Sequence, residues 1–253
     1  VAYIRVTSWP GADPARRRWA LQAKRFRPPQ WRVRRLEQCD TQADLRTIHQ
    51  EIAALMTNFQ TRTSDHEIEP LFLQRWSPRA FTGEAMPEAD LMRIFEAARW
   101  APSSYNSQPW RYLYAHRDTP HWETFLGLLN EFNRSWAARA AVMIVAVSKS
   151  TMRPIGADRD VPSHSHSFDA GAAWAQLALQ ATALGWHAHA MVGFDMPKAF
   201  AELNMPAGTR VEAAIVLGRQ GDKAVLPEPL QQREAPNGRD PVASFAFEGG
   251  FKA

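Results

Sequence analysis

Residues 101–112, APSSYNSQPWRY, hold the densest set of side chains able to bind a ligand. Pro102, Ser103, Ser104, Asn106, Ser107 and Gln108 lie between an amphipathic pattern before them and an alternating apolar pattern after them. That is a polar loop held between two rigid elements, the setting in which binding groups concentrate. A second candidate lies in residues 69–81, EPLFLQRWSPRAF, where Arg75, Ser77 and Arg79 alternate. On an extended backbone all three point the same way. Two guanidinium forks and a hydroxyl suit phosphate oxygens, although the spacing alone favours a solvated surface strand.

Other chemistry is thinner. His164 and His166 could ligate a metal, but with only Asp169 nearby they read better as a solvated loop. His187 and His189 share a face of a strand pattern and read as wall residues rather than a metal pair. Cys39 is the only cysteine, so internal disulfides and cysteine-based metal centres are excluded. A lone thiol fits a reducing compartment. No nucleophile stands with its base, and no carboxylates are paired.

The positioning elements follow from periodicity. Residues 87–100 read as a helix with Leu91, Ile94, Phe95 and Ala98 facing a core, stopped near Pro102. Residues 110–115 read as a strand. Residues 121–136 read as a second helix with Phe125, Leu128, Leu129 and Phe132 on its apolar side, and the run at 140–148 as a strand buried on both faces. After a long polar connection, 149–167, residues 168–185 form a helix rich in small side chains, suited to the interior or a subunit interface. A strand at 186–195 breaking at Gly193, a short helix at 197–203 and a buried strand at 211–218 follow. Residues 222–253 carry four prolines and the aromatics Phe245, Phe247 and Phe251. So much aromatic surface should lie on something, such as a partner subunit.

Charge divides the chain. Residues 1–55 carry 11 basic and 5 acidic groups, leaving 19 and 21 for residues 56–253. The basic arm, interleaved with Trp9, Trp19 and Trp31, could stack on single-stranded nucleic acid or rest on a membrane surface. It reads more simply as a disordered extension or as upstream sequence, with Met56 as an internal start, although residues 40–55 have helical spacing. No apolar run reaches the roughly 20 residues of a bilayer span, and no signal-peptide core is visible. A cytoplasmic protein with no membrane or nucleic-acid partner is the expectation.

From about Gln74 onward the chain resembles the nitroreductase family of FMN-dependent oxidoreductases. The resemblance implies an α+β, three-layer fold: a central, mostly antiparallel sheet flanked by helices, with the C-terminal tail exchanged across a homodimer. It implies that Arg75, Ser77 and Arg79 grip the flavin phosphate and ribityl chain, joined by the late Arg239. Pro102, Ser103, Ser104 and Asn106 would line the flavin from the other subunit. Asn133 would reach the pyrimidine edge, and Met191, Val192 and Gly193 would run beside the ring near N5. Asn237 and Val192 stand where some members carry a lysine and a glutamate. A flavin carries the difficult chemistry itself, which accounts for the missing nucleophile. The implied activity is hydride transfer from NAD(P)H as co-substrate to a small acceptor, a nitroaromatic, quinone or activated alkene, by a ping-pong cycle in homodimers with shared FMN sites. Alternatives are a specialised relative, a reductive dehalogenase or azoline dehydrogenase, or a nucleic-acid-binding protein acting through the basic arm.

Overall fold

The computed structural model describes residues 62–251. The basic arm, the helical spacing at 40–55 and Met56 lie outside the described residues. The first element, α1 (Pro70–Gln74), is a short helix that opens on proline, whose missing N–H costs nothing in a first turn. The chain then runs extended from Arg75 to Phe81, which bridges to Gln220. Next come α2 (Glu88–Arg99), β1 (Trp110–His116), α3 (Trp122–Leu126) and α4 (Glu131–Ala137). They are followed by β2 (Val142–Lys149), the two short strands β3 (Thr151–Met152) and β4 (Val161–Pro162), and α5 (His166–Ala183). The remainder holds β5 (His187–Met191), α6 (Met196–Glu202), β6 (Thr209–Gly218) and α7 (Glu228–Gln231).

The main sheet has the order β1-β2-β6-β5, and every neighbouring pair is antiparallel. The continuous apolar run of β2 is explained by its place between two strands and two helical layers, with residues 142–148 all buried. Its side chains alternate between those layers. Met143, Val145 and Val147 meet Phe125, Leu128, Trp136 and Ala199 from α3, α4, α6 and their connections. Val142, Ile144 and Ala146 meet Leu91, Ile94, Ala173, Leu177 and Ala181 from α2 and α5. This is a three-layer α+β fold with an antiparallel centre, as the resemblance implies. The small residues of α5 allow its close approach: Ala170, Ala173, Ala178 and Ala181 are buried while Phe168 is 82% exposed.

Periodicity misleads at residues 121–136, where one expected helix is two. Asn130 takes an extended backbone and its side chain accepts from the Asn133 N–H, so a new helix starts there with its own cap. Phe132 consequently turns outward and is 53% exposed. In the polar connection, Thr151–Met152 pairs with Val161–Pro162, an interaction with no apolar period to reveal it.

The early tail belongs to the core, since Leu226 and Leu230 are buried against the α3/α4 layer. Farther on, Phe245 and Phe251 are exposed. Glu234 ties this tail to the extended segment: its Oε1 accepts from the backbone N–H groups of Arg79 (2.6 Å) and Ala80 (2.8 Å). Its side chain is 2% exposed and lies 3.9 Å from the Arg79 guanidinium. Removing a buried carboxylate of this kind strands two donors and a cation. We expect Glu234→Ala to lower the unfolding free energy by about 3 kcal/mol, read from the urea midpoint, with Glu234→Gln losing less because one oxygen acceptor survives.

Candidate active site

The residues expected to grip an anion converge from distant parts of the chain. Arg75 is the residue that closes α1, its N–H donating to Leu71 O, and its Nη1 donates to Ser77 Oγ at 3.3 Å. Arg239 arrives from the tail. Its charge, after burial, is the main reason the Arg75 guanidinium is held below its usual range. Sequence reasoning missed a third arginine. Arg62 donates through Nη1 to Leu73 O (3.1 Å) and Arg75 O (2.8 Å), and through Nη2 to Asn237 Oδ1 (3.1 Å). Burial, then Arg239 and Arg75, depress it too. Among the described residues no carboxylate pairs with Arg62, Arg75 or Arg239. No spacing in the sequence marks Arg62, because only tertiary packing of residues 62–69 on α1 and the tail brings it there.

Arg79 behaves differently from its alternating neighbours. Its guanidinium faces Glu234 and lies 5.9 Å from the centre of the Trp136 ring. The three alternating side chains therefore divide: Arg75 bonds to Ser77 without a carboxylate partner among the described residues, while Arg79 pairs with Glu234.

Behind them stands β5. His189 Nδ1 is 2.9 Å from Pro78 O, and its ring lies 4.6 Å from that of Trp136. Burial above all, with repulsion from Arg79 and Arg75, holds its pKa down to about 4 against the pull of the Pro78 and Ser77 backbone. His187 is likewise lowered to about 4, by burial, then Arg219 and Arg75. Both imidazoles are neutral wall residues. Met191 is buried and Val192 is 69% exposed where the strand ends. At Gly193 the chain meets α4: Asn133 Nδ2 donates to Gly193 O at 2.9 Å, and the Asn130 N–H reaches the same oxygen at 3.3 Å. A Cβ at 193 would lie 2.6 Å from Asn133 Nδ2 and 2.7 Å from Asn130 Nδ2, so a larger residue would displace one or both of these amides. Asn133 and Gly193, expected separately, are in direct contact.

The polar loop is held elsewhere. Tyr105, Asn106 and Gln108 all have positive φ, a conformation that costs non-glycine residues about 1–3 kcal/mol each. Ser103 Oγ accepts from the Gln108 N–H at 3.0 Å, and the Ser104 N–H donates to the buried carboxylate of Asp169 at 3.1 Å. Ser165 Oγ donates to the same oxygen, fastening the loop to the start of α5. The loop enters β1 at Trp110, which pairs with Ser148 and through it with Arg210 of β6, whereas His189 pairs with Val216. Three strand spacings and six residues of rise separate these corners by roughly 25 Å. Within one chain, Pro102, Ser103, Ser104 and Asn106 do not join Arg75, Ser77, Asn133 and Arg239.

His166 is not solvated loop. It is the first residue of α5, with Nδ1 2.7 Å from Ser148 Oγ, which also donates to Glu212. His164 is exposed, and among the described residues no group of three or more His, Cys, Asp or Glu side chains could hold a metal.

An α+β core with a polar site along one sheet edge defines the class, and comparison with known proteins supplies the family. The nitroreductase family model matches residues 72–121, from α1 through the polar loop and β1. A solved oxidoreductase containing FMN is 46% identical, with 76% of this chain and 96% of that one covered at a TM-score of 0.73. A nitroreductase in complex with FMN from Desulfovibrio desulfuricans is 26% identical over 74% of this chain and 100% of its own, TM-score 0.56. An uncharacterized 15.4 kDa protein of Mycolicibacterium smegmatis is 34% identical over 127 residues, 50% of this chain and 81% of that one. The chain belongs to the nitroreductase family.

The two wall histidines make a pH signature. Their pKa falls from 6.5 in the unfolded chain to about 4 in the fold, so the unfolded state binds more protons between those values. The stability they contribute is complete above pH 6.5 and is lost as pH falls toward 4, by about 3 kcal/mol for each group. Urea unfolding from pH 7 to 4.5 should show this fall, and His189→Gln, which keeps a donor for Pro78 O, should flatten it relative to wild type.

Proposed function

We propose that the protein is an FMN-dependent oxidoreductase that passes hydride from NADH or NADPH to a nitroaromatic, quinone or activated alkene in a ping-pong cycle. On this reading it works as a cytoplasmic homodimer whose flavin sites are shared, with residues 1–55 an extension outside the flavin-binding domain. The observation that carries the reading is the cluster of Arg75 and Arg239 beside the Ser77 hydroxyl, cations left without a carboxylate among the described residues. Such a cluster fits a phosphate monoester, whose dianion would relieve the mutual repulsion. FMN-bound relatives of the same fold support the choice of ligand.

When bound, FMN supplies the two-electron hydride chemistry. The chain's own residues bind and orient. Arg75, Ser77 and Arg239 would hold the phosphate, while Arg79, neutralised by Glu234, would border the ribityl chain rather than add charge. The Asn133 amide, fixed through its Nδ2 on Gly193 O, would present its Oδ1 to a ring N–H. Met191, Val192 and Gly193 would flank the ring, with the exposed Val192 beside the open face where hydride donor and acceptor would bind in turn. The neutral state of His189 keeps a further cation away from this wall.

The separation of the loop from Arg75 within one chain favours a second subunit as the source of Pro102, Ser103, Ser104 and Asn106. Exposed Trp100, Tyr105 and Phe168 are apolar surface in the same region, suited to burial between subunits.

Purified protein should carry the absorbance of a bound flavin and release FMN on denaturation. A colourless preparation that takes up no added FMN would refute the proposal. In the loaded protein, Arg75→Ala should raise the FMN Kd by about 10- to 100-fold, the loss expected for one charge-assisted contact.

A further inference from the structure

We propose that Arg62 is a third cation of the phosphate site, set in place by Asn237. The inference rests on the FMN reading and extends it to a residue that neither the spacing of the sequence nor the family resemblance singles out.

The Asn237 side-chain oxygen accepts from two guanidinium groups at once, Arg62 Nη2 and Arg239 Nη1, each at 3.1 Å. One carbonyl dipole thus holds together two groups that repel. Arg62 has five N–H donors. Both on Nη1 are spent on Leu73 O and Arg75 O, and one on Nη2 goes to Asn237. The second Nη2 hydrogen and the Nε–H remain, and Nε is buried without a partner among the described residues. A half-buried cation with unspent donors, placed beside two more cations and no carboxylate, is a costly arrangement unless an anion completes it. The backbone contacts explain the direction: by binding the carbonyl of Arg75 itself, Arg62 is locked to the residue that leads the phosphate grip.

This also accounts for the departure at Asn237. Where some family members carry a lysine, this chain has an uncharged amide, and the charge enters instead from Arg62, 175 residues earlier. A phosphate monoester carries about −1.5 to −2 charges at neutral pH. Arg75, Arg239 and Arg62 together surround it with cations without help from position 237, whose task becomes positioning.

The test titrates the full-length chain, stripped of flavin, with FMN and with riboflavin, which lacks only the phosphate. Arg62→Ala should raise the FMN Kd by about 10- to 100-fold, reduce its salt dependence, and leave the riboflavin Kd unchanged. The double variant Arg62→Ala/Asn237→Lys should recover FMN affinity to within a few-fold of wild type, because the cation returns from the other side. Equal losses for FMN and riboflavin would overturn the proposal by showing that Arg62 serves only to hold the Leu73 and Arg75 carbonyls. A loss of FMN in Arg75→Ala with none in Arg62→Ala would overturn it while leaving the FMN reading intact. A double variant no tighter than Arg62→Ala would overturn the exchange of cation between positions 62 and 237. A wild-type chain that takes up neither flavin would instead refute the reading on which the proposal rests.

Discussion

Like charges held together without a counter-charge are the constraint on which this structure turns. Arg62, Arg75 and Arg239 are each partly withdrawn from water or crowded by the others, and nothing acidic among the described residues relieves them. Such a cluster persists only if the backbone fixes it. α1 presents Arg75 at its end, and Arg62 binds the carbonyls just before and at that residue. The tail that brings Arg239 is anchored by buried Leu226 and Leu230, by Glu234 on the Arg79 and Ala80 amides, and by Asp65 on the Val242 N–H. The stability of the three-layer core is therefore spent in part on keeping cations together.

The second organising feature is the free side of β5. An edge strand offers unpaired backbone and a row of side chains to whatever lies beside it. Here the extended segment 75–81 supplies Pro78 O to His189, and Trp136 packs on the same imidazole. Where β5 ends, Gly193 admits the amides of Asn130 and Asn133 in positions that a larger residue would displace. Burial keeps both wall histidines neutral, so among the described residues their charge does not add to that of Arg62, Arg75 and Arg239 over the range where histidine titrates in water.

The polar loop is built with equal care at the opposite corner. Three residues with positive φ, a serine accepting from a nearby amide, and a buried aspartate tying the loop to α5 are the marks of a preorganised surface. On the proposed reading that surface serves a neighbouring copy rather than its own chain.

Much of this was legible in the sequence. The apolar run at 140–148 read as a doubly buried strand, and the stripes at 87–100 and 168–185 read as helices, because burial on a regular element imposes its period on the residue types. The loop was visible because few structural roles need so many polar side chains between two prolines, whereas the Arg75, Ser77, Arg79 alternation, which by spacing alone favours a surface strand, gained meaning only from the family resemblance. Periodicity failed at 121–136, where a side-chain cap at Asn130 restarted the helix with no change in apolar content. It was silent about Glu234, whose carboxylate offsets the charge of Arg79, and about Arg62, which joins Arg75 and Asn237 only through tertiary packing. The amino-acid sequence by itself determined most of the elements, most of their buried faces and some of the residues able to bind an anion, since these depend on local pattern and composition. Which arginines share a site, which is neutralised and which corner the loop occupies were decided by the tertiary structure, because electrostatic partnership depends on distance in space and not along the chain.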